Sequence, residues 1–172
     1  MQVEPSGLVI VSSSGRALAE SAVRGGYAAA VVDGFCDQDT RAVAPCAPVP
    51  LSSCGLDATR LRAEVERLAP LGERYGLIYG AGLEGAPESL DWLAERFPLL
   101  GNGAEVLRVL GQPARFFALL DDLEIPYPEI HFEPPAGHEG PDWLVKEAGT
   151  SGGLGVRQWR TGGERPARAH FF

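Results

Sequence analysis

The sequence predicts an α/β protein that opens on a doubly wound parallel sheet. Three observations carry this: continuous apolar runs of strand length, amphipathic helical stretches between them, and glycine-rich turns at the handovers. Gly7 to Val11 is the first run, and Ser12-Ser13-Ser14-Gly15 is a turn able to cap a helix over Arg16 to Arg24, where Ala17, Leu18 and Ala22 form an apolar face. Gly25-Gly26 ends that helix, and Tyr27 to Asp33 reads as a second buried strand. Two such strands joined by a helix make a right-handed parallel crossover.

Ala42 to Ser53 mixes small, apolar and proline residues, which predicts a short edge strand with irregular flanks. Leu56 to Leu68 predicts a helix with Leu61, Val65 and Leu68 on one side and its arginines and glutamates in water. Gly76 to Gly80 is another short buried strand, followed by a glycine-rich loop and a helix over Pro87 to Arg96 with Leu90 and Leu93 on its apolar side. From Gly101 the texture changes. Ala104 to Leu110 and Pro113 to Leu123 predict two short helices forming a connector, the second with a dense apolar face of Phe116, Phe117, Leu119 and Leu120. Ile125 to Ile130 must be extended, because each residue before a proline is pushed out of the α region. Glu133 to Asp142 reads as a surface loop and Trp143 to Lys146 as a new strand.

The 172 residues are 45% hydrophobic and 22% charged, which describes a globular chain and excludes disordered and collagen-like classes. A net charge of −8 repels phosphate backbones and anionic membranes, so neither nucleic acid nor a membrane is expected as a partner. The longest apolar stretches, Leu8 to Val11 and Ala28 to Val32, fall far short of the ~20 residues that span a bilayer. Met1 to Pro5 lacks the basic-then-apolar order of a signal peptide, so the expected location is the cytoplasm. Cys36, Cys46 and Cys54 are then expected to be reduced thiols in the core or loops, since their spacing suits neither zinc nor a disulfide framework.

The chemistry concentrates in Trp143 to Trp159. No Gly-Lys-Ser/Thr closes this stretch, so it is not a Walker A loop. The residues after the glycines alternate like a strand and do not start a helix, so it is not a dinucleotide fingerprint either. It reads as strand, glycine loop, strand, in which Gly149, Gly152, Gly153 and Gly155, with the hydroxyls of Thr150 and Ser151, can close around a polyphosphate. Lys146, on the entering strand, would lend a point charge to the same phosphates. It is the one lysine among 15 basic residues, and a compact ammonium with three rotatable donors suits insertion beside a phosphate chain. A glycine-rich hairpin with an exposed lysine is the bland alternative.

Lys146 with Gly149-Thr150-Ser151-Gly152-Gly153-Leu154-Gly155-Val156 resembles the phosphate-covering loop of the ATP-grasp superfamily, in the branch of ATP-dependent carboligases related to biotin carboxylase. Leu99 to Asn102, Pro113 to Phe117 and Leu123 to Pro128 resemble that branch in the same order, as do Ala17 to Ala22 and Asp33 to Phe35 with Asp37, Asp39, Thr40 and Arg41. The resemblance implies a Rossmann-like pre-ATP-grasp domain over residues 1–100, a helical connector over 101–125, and over 126–172 the first part of an ATP-grasp nucleotide-binding subdomain. It also implies a ligase that uses ATP and Mg²⁺ to activate a small-molecule carboxylate as an acyl phosphate and join it to an amine or similar nucleophile. The nucleotide-contacting set would be Lys146, Gly149, Thr150, Ser151, Gly152, Gly153 and Gly155. Either Arg108 or Arg115 would stand where the superfamily has an earlier lysine, or that contact is absent.

The family's hinge acid and its Glu and Asn metal ligands lie beyond a strand resembling Ala167 to Phe172. The chain is therefore expected to be the N-terminal portion of a longer ligase and inert alone, with a terminal apolar strand that lacks a neighbour. Two rivals remain. Asp33, eighteen residues after Gly15, could hold a dinucleotide ribose, although capping a turn suits it better. An exposed Phe171-Phe172 strand could make a homodimer or dock on a partner. Tyr79 to Glu84, at the end of a strand, could face a substrate. Asp121-Asp122 reads as a solvated pair and not a metal site, and His131, His138 and His170 form no ligand or catalytic spacing.

Overall fold

The computed structural model describes residues 7–52, 54–68, 75–134, 143–150, 153–160 and 169–172. The chain opens with β1 (Gly7–Ser12), α1 (Arg16–Arg24), β2 (Ala28–Asp33), α2 (Gln38–Val43) and β3 (Cys46–Pro48). A small hairpin of β4 (Leu51–Ser52) and β5 (Gly55–Leu56) leads to α3 (Ala58–Leu68), β6 (Tyr75–Tyr79) and α4 (Pro87–Ala94). The strands form a parallel sheet in the order β3-β2-β1-β6, with the expected crossover between β1 and β2.

The period-two rule divides this sheet into two apolar layers. Val9, Val11, Val32 and Leu77 point to the side covered by Leu61 and Val65 of α3 and Leu90 and Leu93 of α4. Leu8, Ile10 and Val31 point to the side covered by Ala19 and Ala22 of α1 and by Ala44 after α2. Leu99 extends the sheet beyond β6 by a parallel bridge to Leu77. Next come α5 (Ala104–Leu110), which packs Ala104 and Leu107 onto the first apolar layer, and α6 (Pro113–Asp122).

The remaining strands, β7 (Leu144–Glu147), β8 (Val156–Gln158) and β9 (Ala169–Phe171), make an antiparallel sheet in the order β8-β7-β9. Val145, Trp159, Ala169 and Phe171 form its core, with Trp143 against them.

Five expectations need correction. Helix α2 is absent from the expected elements; six residues long, it is too short to show a period, and Asp37 starts it by accepting the Thr40 amide (2.8 Å). Helix α3 begins at Ala58, because Leu56 is paired with Leu51 in the β4–β5 hairpin. The apolar residues of α6 do not form a buried face: no residue of the helix is fully buried and Leu119 is 38% exposed.

The fourth concerns the cysteines. Cys36 and Cys46 are joined in a disulfide, while Cys54 is an exposed thiol outside it. Cys46 opens β3 opposite Val31 of β2, and after β2 the chain turns back at Cys36, whose φ of 47° and amide hydrogen bond to the Asp33 carboxylate fix the turn, leaving the two Cα atoms 5.8 Å apart. The terminal strand is not exposed either. Phe171 is buried, β9 pairs with β7, and its other edge bridges His131, so it offers no free edge for docking. The 133–142 loop is described only to residue 134. No helix among the described residues is long and apolar enough to cross a membrane.

Candidate functional site

Antiparallel register determines which side chains share a face of the β8-β7-β9 sheet. Val145 lies opposite Phe171 and points to the small core. Lys146, one residue on, lies opposite Val156 on β8 and His170 on β9, so these three project from the other face. That face looks toward α5 and α6 across a groove of about 370 Å³. Its apolar wall is Leu110, Pro113, Phe116 and Phe117, and its polar floor is Lys146, Thr150 and His170.

The glycine loop is the turn between β7 and β8. The Glu147 amide donates to the Gly155 carbonyl (2.9 Å) and the Val156 amide to the Gly153 carbonyl (3.0 Å), which closes the hairpin. Gly149 and Gly153 take φ of 82° and 76°, left-handed values that favour glycine. The Thr150 hydroxyl donates to the Glu147 carbonyl (2.8 Å), so its one proton is engaged in the turn. A Cβ on Gly85 would collide with the Cys54 carbonyl and lie 2.9 Å from the Gly149 carbonyl oxygen. Absence of that side chain lets the loop after β6 come up against the glycine hairpin.

The same loop carries Glu84, which holds the Gly82 amide (2.6 Å) and lines the groove opposite the hairpin. A second cavity, about 450 Å³, adjoins the groove through Glu84, Gly111 and Gly149 and is lined further by Cys54, Glu88 and Arg108.

Of the expected set, Lys146, Gly149 and Thr150 meet in the groove; Gly153 and Gly155 complete the hairpin turn; Ser151 and Gly152 lie outside the described residues. Arg108 lies in the neighbouring cavity, where Asp91 binds it directly and Glu105 is 3.8 Å away. Asp91 holds its guanidinium charged, raising its pKa. Arg115 pairs with Glu105 (3.7 Å) on an outer surface.

Sequence reasoning missed His170. No local spacing marks it, because the signal is its pairing with β7, which lies more than twenty residues earlier. Its pKa is lowered from the ordinary 6.5 by burial first and then by the Lys146 charge. Of the stretch Tyr79 to Glu84, Glu84 lines the groove, while the Tyr79 hydroxyl donates to the Asn102 carbonyl (2.8 Å) and ties β6 to the segment before α5.

Asp33 is buried and its carboxylate accepts the amides of Gly15 (3.0 Å), Phe35 (2.9 Å) and Cys36. It is a turn-capping group, engaged by three backbone donors and too buried to reach a ribose. Asp121 accepts the Tyr127 hydroxyl (2.7 Å).

A mobile polyphosphate fits the groove's donor set: one ammonium, a tight glycine turn with backbone amides, and an imidazole whose Nδ1 lacks a partner. A divalent cation finds no comparable set. Among the described residues only Asp33, Cys36 and Cys46 cluster like ligands, far from the groove in sequence, and the two sulfurs are bonded to each other.

Comparison with known proteins supports the fold. No protein-family model and no curated protein sequence matches the chain. Solved structures do. N5-carboxyaminoimidazole ribonucleotide synthetase of Thermus thermophilus is 22% identical with a TM-score of 0.57, over 89% of this chain and 40% of that one. The Staphylococcus aureus synthetase, complexed with ADP, is 15% identical with a TM-score of 0.62, over 98% and 47%. The biotin carboxylase domain of the Hydrogenobacter thermophilus 2-oxoglutarate carboxylase, complexed with MgADP, is 12% identical with a TM-score of 0.62, over 91% and 38%. These neighbours are ATP-grasp enzymes, and the chain has the α/β fold of their N-terminal part. It spans less than half the length of each.

Proposed function

We propose that the chain is the N-terminal portion of an ATP-dependent carboxylate–amine ligase of the ATP-grasp superfamily, and that the β7–β8 hairpin with Lys146 covers the nucleotide's phosphates. The observation that supports this most is the groove itself. Register turns Lys146 and His170 toward it, the glycine turn stands at its rim, and the α5–α6 turn closes the opposite wall. The similar structures contribute the class of reaction, since they include synthetases and carboxylases, some captured with ADP or MgADP.

In such an enzyme ATP supplies the phosphoryl group that activates a carboxylate. This chain's own residues act by position and charge. Lys146 neutralises a phosphate oxygen, the apolar wall of Phe116, Phe117 and Leu110 excludes water, and hairpin amides add donors that need no reorganisation. Mg²⁺ would arrive with the nucleotide, because the described residues assemble no ligand set for it. The domain limits at residues 100 and 125 belong to the same reading.

Calorimetric titration of the chain with MgATP tests it. The expected result is saturable binding that Lys146→Ala weakens at least tenfold without changing thermal stability, since an interaction with a charged group is worth about 1.5–3 kcal/mol. Binding by wild type and Lys146→Ala alike would remove the assignment.

A further inference from the structure

His170 carries an inference that rests on the nucleotide reading above. Its strand register sets it directly opposite Lys146, and residues so paired keep their Cβ atoms about 4.5–5.5 Å apart on one face. The residue is 8% exposed, lines the groove, and has a buried Nδ1 with no hydrogen-bond partner. Phe117 meets the ring edge-on with centroids 5.5 Å apart, and Phe172 tilts against it at 5.8 Å. None of these contacts uses a polar atom. Packing alone would be served by a phenylalanine, with no buried nitrogen left unpaired.

A neutral imidazole has one bare nitrogen and one N–H. Orphaned buried N–H groups are rarer than under-satisfied acceptors, so the bare nitrogen belongs at the sealed Nδ1 and the proton at Nε2. Lys146, beside the ring, opposes a second proton, as does burial. Glu84, on the loop across the groove, is the acid lining the same space.

We propose that His170 is a neutral hydrogen-bond donor of the nucleotide groove, giving Nε2–H to a phosphate oxygen adjacent to the one held by Lys146. Two cations on directly opposed positions of one face repel each other; a cation and a neutral donor do not. The pair thus presents two donors to the phosphate chain for a single positive charge, and no proton changes hands.

The test is ¹⁵N spectroscopy of histidine-labelled chain, free and saturated with MgATP. The free chain is expected to show a pyridine-like Nδ1 and a pyrrole-like Nε2 for His170, and MgATP is expected to shift Nε2 and its proton downfield. His170→Phe, which keeps a ring in the packing, is expected to bind MgATP about tenfold more weakly. His170→Gln, whose side-chain amide returns an N–H near the lost one, is expected to stay within about threefold of wild type.

A proton on Nδ1 in the free chain, or a His170 signal unmoved while Gly149 and Lys146 signals shift, overturns the proposal and leaves the nucleotide reading standing. Wild-type affinity in His170→Phe does the same. Absence of any MgATP binding by wild type overturns both. The wild-type spectra decide the matter even if a variant fails to fold.

Discussion

The parallel sheet and the antiparallel sheet are built on opposite plans. The first buries both faces: α1 and Ala44 after α2 cover one, α3 and α4 the other, and strand residues such as Ile10 and Val11 are fully buried on alternate sides. The second builds its apolar core on one face only, through Val145, Trp159, Ala169 and Phe171. Its other face is given to Lys146 and His170 and to the groove. A sheet that leaves one face to a groove keeps a thin core. The two regions approach most closely at Gly85, where a Cβ would lie 2.9 Å from the Gly149 carbonyl oxygen.

The largest expected effect comes from breaking the thin core. Phe171→Ala removes its one fully buried phenylalanine, a change that costs about 3–5 kcal/mol at such sites. Amide exchange should then accelerate in β7, β8 and β9 while β1 and β2 keep their protection. Equal loss of protection in both sheets would show one cooperative unit and dissolve the comparison.

Next in size is the Cys36–Cys46 bridge, which ties the turn after β2 to the start of edge strand β3. Closing a short loop of this kind is worth about 2–3 kcal/mol in the unfolded chain, so a Cys36→Ala/Cys46→Ala chain should unfold at lower denaturant. MgATP affinity should not move, because the bridge lies away from the groove.

The smallest effect is on pH. Burial, and then Lys146, hold the His170 pKa below 6.5 in the folded chain, so the unfolded chain binds that proton more readily. Stability should fall as pH drops below about 6.5 and level off once the folded ring is protonated. His170→Phe should remove that part of the slope, as denaturant midpoints measured across pH would show.

The two regions also differ in how far they can be read from residues. Helices α1 and α5 run over the expected residues, because apolar periodicity and a terminal glycine bound both. The strand–glycine loop–strand order around Lys146 is legible for the same local reason. Helix α2 is not; its only signal is Asp37 three residues before Thr40, a capping pattern without an apolar period. The disulfide and the Lys146–His170 pairing depend on which strands become neighbours, and no spacing within the chain encodes that. Arg108 shows the same limit, since its engagement by Asp91 arises from the packing of α5 on α4.

The central claim is that the nucleotide site belongs to the thin sheet's open face and not to the first crossover of the thick one. Mapping amide shifts of the labelled chain on addition of MgATP tests it most directly. The account predicts shifts at Ala148, Gly149, Thr150, Gly153 and Gly155, with Gly111 across the groove. Shifts centred instead on Ser13, Gly15 and Gly34, at the ends of β1 and β2, would contradict it.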